Sequence, residues 1–202
     1  MTSYTDFYRR SIDDRDAFWA EQAQLIDWQT PPQTICDYSK PPFAKWFVGG
    51  TTNLCHNAVD RHLKDRADQP ALIFVSTETD QEKVYTFREL HAEVQRMAAV
   101  LKGLGVQKGD RVLIYMPMIA EACFAMLACT RIGALHCVVF GGFASGSLAT
   151  RIDDAEPKVS SAPTPVRAAA SRCPTSRCWT KPSTCRSTSP MRCCWSIVAC
   201  RL

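Results

Sequence analysis

Acidic residues and glycines are absent from the last 43 residues of this 202-residue chain. All 20 Asp and Glu residues and all nine glycines lie in residues 1–159, where acids outnumber the 17 Lys and Arg residues. Residues 160–202 carry seven Lys and Arg residues and a formal charge of +7. A folded α/β segment normally uses Asp, Glu and glycine for helix caps and turns. The composition therefore predicts an aberrant, irregular and disordered tail, of the kind that a change of reading frame would leave.

Long apolar runs are also missing. The most apolar stretch, residues 112–143, is interrupted by Pro117, Glu121, Arg131 and His136, so no uninterrupted apolar run approaches the roughly 18 residues that a membrane span needs. The N-terminal residues include several acids and no apolar core of a secretory signal. We therefore expect a cytoplasmic protein with no membrane partner. The 46% hydrophobic and 22% charged residues exclude collagen, coiled coils and wholesale disorder.

Histidine is scarce, and no cysteine pattern has metal-binding spacing. The chain has four histidines on separate predicted elements, and none of the six tail cysteines forms a C-x-x-C pair, so we predict no metal site. His136, inside an apolar strand, is expected to be a hydrogen-bonded core residue, and Cys123, Cys129 and Cys137 are expected to be inert packing thiols. The tail's positive residues are dispersed, which argues against a nucleic-acid partner. A basic-tail nucleic-acid or metal binder stays an alternative function.

The N-terminal part of the chain predicts two helices joined by an irregular segment. Ser11 and Asp14 form a capping pair for a first helix that ends before a pair of prolines. Residues 33–50 contain two further prolines and an aromatic cluster, and we expect them to be irregular with the aromatic rings packed. Thr52 or Asn53 then begins a second helix.

Beyond Pro70, short apolar strands alternate with helices. The predicted strands are 71–75, 84–87, 111–116 and 135–140. The predicted helices are one begun by the Thr86–Glu89 capping box, one over about 118–132 ended by Gly133, and one over 145–155 stopped by Pro157. This alternation predicts an α/β fold with a parallel sheet. Another strand should start at Lys158, but the following serines and Pro163 predict that the sheet is incomplete and loses it.

Ligands of parallel sheets bind beyond the carboxyl ends of the strands. In this chain those ends are Met116–Pro117 and the segment Phe140, Gly141, Gly142. Paired glycines after a buried strand let the backbone approach a flat or phosphorylated ligand. A simple turn without a ligand is the alternative reading of the same two glycines.

Two long runs are specific enough to carry a family resemblance: GGTTNLCHNAVDRHL at residues 49–63 and GDRVLIYMPMIAEA at residues 109–122. With their surroundings, over about residues 4–158, they resemble the AMP-forming acetyl- and propionyl-CoA synthetases of the adenylate-forming superfamily, and the propionyl-CoA synthetases more closely. The resemblance implies three parts. Residues 1–63 correspond to an acetyl-CoA synthetase-type N-terminal region, residues 64–159 to the truncated start of an AMP-binding domain, and residues 160–202 to the aberrant tail.

The resemblance also implies a reaction. The family activates a short carboxylic acid with ATP and Mg²⁺, forms an acyl-adenylate with release of pyrophosphate, and transfers the acyl group to CoA with release of AMP. Phe140, Gly141 and Gly142 match the family's Phe-Gly-Gly beside the CoA nucleotide. No catalytic residue or metal ligand of the family has a match here.

The missing parts limit what this chain can do alone. The family's phosphate loop ending in Pro-Lys, its acid pocket and its acylation-site lysine have no counterpart in the sequence. We therefore expect an N-terminal fragment that is inactive alone and prone to aggregate through an open sheet edge. A residual CoA-nucleotide-binding module is a further alternative function, besides the basic-tail binder.

Overall fold

The computed structural model describes residues 3–141, 145–161 and 192–193. The chain divides between Asn57 and Ala58 into two compact units. In the part of the chain so described, no helix combines the length and the apolar character needed to cross a bilayer.

The first unit contains helices and one β-hairpin. Its elements are α1 (Tyr4–Asp13), α2 (Arg15–Ala23), β1 (Thr34–Lys40) and β2 (Phe43–Val48), and α3 (Leu54–Ala58) begins in it. The predicted capping pair is wrong. Ser3 begins α1 by accepting a hydrogen bond from the Asp6 amide at 3.2 Å, whereas the Ser11 hydroxyl donates to the Tyr8 carbonyl at 2.7 Å. Asp14 lies between α1 and α2 and makes no side-chain cap.

The hairpin corrects the expectation that residues 33–50 are irregular. β1 and β2 pair antiparallel with Thr34 opposite Val48. The two prolines lie in the connecting turn, where no backbone N–H is needed to pair the strands. The aromatic packing is confirmed for two rings. The Trp46 ring centroid lies 5.8 Å from that of Trp19, and the Phe47 centroid lies 5.6 Å from that of Trp28.

Asn53, one of the two predicted residues, begins α3. Its side-chain oxygen accepts a hydrogen bond from the His56 amide at 3.1 Å, which satisfies one of the amides that an α-helix leaves unpaired at its start.

The second unit is an α/β assembly with two sheets. After a 3-10 turn at Asp60–His62, its elements are α4 (Leu63–Arg66), β3 (Pro70–Ser76), β4 (Gln81–Thr86), α5 (Phe87–Gly103), β5 (Arg111–Met116), α6 (Ala120–Ile132), β6 (Leu135–Phe140), α7 (Ser145–Ala155), β7 (Val159–Ser161) and β8 (Arg192–Cys193). β3 and β4 form an antiparallel hairpin. The other strands form a sheet in the order β6-β5-β7-β8, and all their pairings are parallel. The predicted parallel α/β fold is confirmed.

Local signals explain the helices of this unit. Both hydrogen bonds of the Thr86–Glu89 capping box are present, and α5 buries an apolar stripe that follows the helical repeat. Its buried members are Phe87, Leu90, Val94, Ala98 and Leu101. Gly133 ends α6 with a φ of 75°, a left-handed conformation that glycine adopts without strain.

The core of this unit lies on both faces of β5. Five of the six β5 residues are buried. Leu113 and Tyr115 join Val139 and two α7 side chains in one cluster, and α6 contributes Phe124, Ala125, Ala128 and Cys129 as further buried residues. Such two-sided burial is typical of a central parallel strand.

The strand after Pro157 forms, which corrects the expectation that the sheet loses it. Val159–Ser161 pair with β5, and all three residues are buried. Two serines have low strand propensity, but pairing with a buried neighbour overrides that propensity. Arg192–Cys193 pair in turn with β7, so four positions of the predicted tail lie in the sheet. Pro163 lies outside the described residues.

Among the described residues β6 is an edge strand of this sheet, and His136 is exposed on it. The expectation that His136 is a core residue is therefore wrong. The strand is apolar in sequence, and the periodicity alone does not distinguish an edge strand from a central one.

Candidate functional site

The two segments predicted to form a ligand site lie next to each other in the structure. Met116 and Phe140 are directly paired at the ends of β5 and β6, so Met116–Pro117 and Phe140–Gly141 lie together at the carboxyl edge of the sheet. Sequence reasoning placed both segments there. Gly142, the third predicted site residue, lies outside the described residues.

Gly141 makes the closest backbone approach at this edge. A Cβ atom added to it would lie 3.1 Å from the Met116 carbonyl carbon and 3.1 Å from the Pro117 nitrogen. Both neighbours are main-chain atoms, which cannot move aside as a flexible side chain can. Packing against the end of β5 is therefore sufficient to explain a glycine at this position, without any ligand.

Phe140 presents an aromatic ring at the same edge. The residue is 59% exposed, and Val138, two residues earlier on the same face of β6, is 54% exposed. An exposed aromatic face can stack on a nucleotide base. The exposed Phe140 ring is therefore available for stacking.

At the opposite end of the sheet, charged side chains join the amino ends of β5 and β7. The Lys158 ammonium donates to the Asp110 carboxylate at 2.8 Å, and the Gln107 amide donates to the same carboxylate at 2.7 Å. These two bonds hold the pKa of Asp110 below its usual value. The Lys158 amide also donates to the Arg111 carbonyl at 2.8 Å. The first residues of the run at 109–122 therefore hold β5 and β7 in register at their amino ends. The residues at the carboxyl ends of the strands take no part in these bonds.

A second charged cluster was missed in the sequence. Arg131 on α6 donates to both carboxylate oxygens of Asp60, at 2.7 and 2.8 Å, and His91 on α5 lies 3.5 Å from one of those oxygens. The three side chains are half-buried. The charges of Arg131 and Asp60 compensate each other, so this pair ties the 3-10 turn to α6. Because 71 positions separate Asp60 from Arg131, no local pattern could have found this pair.

The run at residues 49–63 has a structural role in the first unit. His56 Nε2 lies 2.6 Å from the Asp27 carboxylate, and the Thr52 hydroxyl and the Asn57 amide donate to the Asp27 carbonyl at 2.8 and 3.1 Å. These bonds fix the start of α3 on the segment that follows α2. Gly50 allows the backbone before α3 to lie close to Trp28, since a Cβ atom on residue 50 would lie 2.8 Å from the Trp28 ring.

Two thiols of the second unit, those of Cys123 and Cys129, lie in surroundings that disfavour the reactive thiolate form. Burial, with a smaller contribution from Cys137, raises the pKa of Cys129 to about 12, and burial also raises the pKa of Cys123. The expectation of inert packing thiols is confirmed for these two. Within residues 3–141, 145–161 and 192–193, no group of three or more His, Cys, Asp and Glu side chains is placed to hold a metal ion.

Comparison with known families agrees with this architecture. Residues 59–185, more than half of the chain, match the family model of the AMP-binding enzymes. The chain belongs to the AMP-binding enzyme family. Residues 4–58 of this family member match the model of the acetyl-coenzyme A synthetase N-terminus, so the resemblance inferred from the two long runs is confirmed. The second match continues beyond residue 158, where the resemblance was expected to end.

Individual relatives are consistent with the family. This chain is 61% identical over 155 residues to the propionate–CoA ligase of Escherichia coli K12 and 63% identical over 155 residues to that of Salmonella typhimurium LT2. It is 52% identical over 159 residues to an acetyl-coenzyme A synthetase of Methylobacterium radiotolerans. Each of these matches covers 77% of this chain and 24–25% of the relative.

A solved structure supports the fold. The acetoacetyl-CoA synthetase of Streptomyces lividans superposes with a TM-score of 0.74 at 33% identity, over 80% of this chain and 25% of that one. The chain therefore spans about a quarter of the length of the relatives that it matches.

Proposed function

We propose that this chain forms the N-terminal part of an AMP-forming short-chain acyl-CoA synthetase. The proposed reaction of the whole enzyme converts propionate, ATP and CoA into propionyl-CoA, AMP and pyrophosphate. The observation that carries the proposal is the 61–63% identity to two propionate–CoA ligases, against 52% to an acetyl-coenzyme A synthetase. Acetate is the alternative substrate. ATP, CoA and Mg²⁺ belong to the whole enzyme, which we place in the cytoplasm.

The chain alone is proposed to be inactive. It spans about a quarter of its relatives, and its sequence has no counterpart of the phosphate loop, the acid pocket or the acylation-site lysine. The tail, residues 160–202, is proposed to be out of frame; the pairing of Ser160 and Ser161 with β5 and the family match through residue 185 count against this proposal for the first part of the tail.

Phe140, Gly141 and Gly142 are proposed to lie beside the CoA nucleotide in the whole enzyme. The exposed Phe140 ring at the carboxyl edge of the sheet supports this role. For Gly141 the support is weaker, because its close approach to Met116 and Pro117 is sufficient to explain a glycine there. For Gly142 the proposal rests on the family resemblance alone.

A chimera tests the proposed reaction. Residues 4–158 of this chain replace the 155 aligned residues of the E. coli propionate–CoA ligase, and the rate of propionyl-CoA formation is measured. We expect an active chimera, and no ATP–pyrophosphate exchange by the 202-residue chain alone with propionate. A folded but inactive chimera would contradict the proposed function. Robust exchange by the chain alone would contradict its inactivity.

The CoA contact has its own test in the same chimera. Phe140→Ala removes the ring, and base–aromatic stacking of about 1–3 kcal/mol predicts a rise in the KM for CoA of roughly 5- to 150-fold. The ATP–pyrophosphate exchange rate should not change, since CoA takes no part in that half-reaction. Val138→Ala is the matched control on the same face and should leave both values unchanged. Equal effects of the two substitutions, or a parallel loss of exchange, would show that Phe140 acts through folding.

A further inference from the structure

β7 is a short strand whose main chain needs a partner on both of its sides. Val159, Ser160 and Ser161 are each at most 3% exposed, so water is not available to pair their main-chain groups. β5 pairs with one side of the strand. Buried N–H and C=O groups on the other side would be costly if they were left without a hydrogen bond. The burial of β7 therefore requires a second neighbouring strand.

The second neighbour of β7 comes from the far end of the same chain. Arg192 lies opposite Val159 and Cys193 opposite Ser160 in a parallel pair, and β8 is hydrogen-bonded to β7 in the sheet. A parallel pair needs a crossover connection of about a dozen residues or more. The interval from Ser161 to Arg192 exceeds that length, so the chain is long enough to return to its own sheet.

The pairing of β7 with β8 depends on the main chain more than on side-chain fit. Every residue except proline carries one N–H donor and one C=O acceptor, so a tail without acids or glycine still supplies a strand. Side-chain fit in β7 is imperfect, because the buried Ser161 Oγ has no hydrogen-bond partner among the described residues, and such groups are rare in folded proteins. The strand forms in spite of this unpaired hydroxyl, as expected if main-chain bonds hold it.

We propose that Arg192–Cys193 form a strap that closes the free edge of β7 and so prevents this edge from pairing with a strand of a second copy of the chain. An open strand edge is a template for pairing with other chains, whereas a very short edge strand offers little main chain for such pairing. β8 has two residues and fits that protective role. The inference goes beyond the proposed function, because it concerns this chain alone and no catalytic step enters it.

Hydrogen exchange of the full 202-residue chain tests the strap. The double variant Arg192→Pro/Cys193→Pro removes both N–H donors of β8 and disfavours a strand there. We expect at least one amide of Val159–Ser161 to exchange about tenfold faster or more, which corresponds to ~1.4 kcal/mol. Arg192→Val/Cys193→Thr is the matched control, since it changes the same side chains, keeps both donors and should retain the protection. Amides of α5 should exchange equally in all three proteins.

Sedimentation under reducing conditions tests the protective role. The proline variant should self-associate more strongly than the parent chain at the same concentration, because its β7 edge is open to a second copy. The Arg192→Val/Cys193→Thr variant should sediment as the parent chain does. The reducing agent removes disulfide-linked oligomers from the comparison.

Each other outcome overturns the strap or its role. Unchanged exchange of β7 in the proline variant would show that β8 does not pair with it. An equal loss of protection in the valine–threonine variant would assign the effect to side chains, and faster exchange that extends to α5 would show a loss of the whole unit. Protection of β7 in the parent chain that falls on dilution would identify the neighbour as a second copy. Faster exchange of β7 without stronger self-association would refute the protective role.

Discussion

Replacing Gly141 by alanine tests why a glycine stands at the carboxyl edge of the sheet. The added methyl group would lie 3.1 Å from two main-chain atoms, Met116 C and Pro117 N, where ordinary contacts begin at 3.4 Å. Main-chain atoms at the end of a buried strand must then shift by a few tenths of an ångström. Inserting a methyl group into such a packed place costs about 1–3 kcal/mol, so the free energy of unfolding should fall by that amount.

Gly146 provides a matched control within the same unit. It lies in the first turn of α7, and a Cβ atom there meets nothing within 4 Å. Gly146→Ala should therefore raise the free energy of unfolding, by up to about 1 kcal/mol, because alanine loses less backbone entropy in a helix. Urea unfolding followed by circular dichroism measures both variants. Opposite signs are predicted, and a Gly141→Ala variant as stable as the parent would refute the close-approach argument.

Three further predictions concern stability and reactivity. Thr86→Ala removes the cap of α5 and should lower the urea-unfolding free energy by about 1 kcal/mol, with Thr86→Ser restoring most of it; no loss would show that the capping box is unimportant. The pKa of Asp110 is lowered mainly by Lys158. The ionised carboxylate therefore stabilises the folded chain fully at pH values above the ordinary carboxyl pKa, and this stabilisation is lost as the pH falls through the lowered pKa. Asp110→Asn should flatten the acid side of a stability–pH curve, and an unchanged curve would contradict the ion pair. Cys129, with its pKa raised to about 12, should resist iodoacetamide at pH values near 8 until urea unfolds the chain; rapid labelling of the native chain would contradict its burial.

The parts of the fold that sequence predicted well carry local signals. β5 and β6 begin and end at the predicted residues, because each is an apolar run bounded by glycine, aspartate or proline. The capping box places the start of α5, and Gly133 places the end of α6. In each case a residue type with a specific backbone preference marks the boundary.

The parts that sequence missed depend on tertiary pairing. Residues 34–48 contain two prolines that suggest a loop, yet pairing of the two flanking segments makes a hairpin. β7 includes two serines with low strand propensity, and it forms because β5 provides a buried partner. His136 is exposed because β6 lies at a sheet edge, a position that depends on the order of strands and has no local signature.

The candidate site divides in the same way. Strand ends and glycines placed Phe140 and Gly141 beside Met116, and the register confirms that neighbourhood. The reason for Gly141 is a distance to main-chain atoms of another strand, which no local pattern contains. The role of Phe140 beside a CoA nucleotide stays a prediction from the family resemblance.

The most direct test of the account is the rate of propionyl-CoA formation by the chimera that carries residues 4–158 of this chain in the E. coli propionate–CoA ligase. The account predicts a kcat/KM for propionate within about tenfold of the parent ligase, a change of no more than ~1.4 kcal/mol in transition-state stabilisation. A chimera with the secondary structure of the parent ligase and no detectable propionyl-CoA would contradict the claim that this chain forms the N-terminal part of such an enzyme.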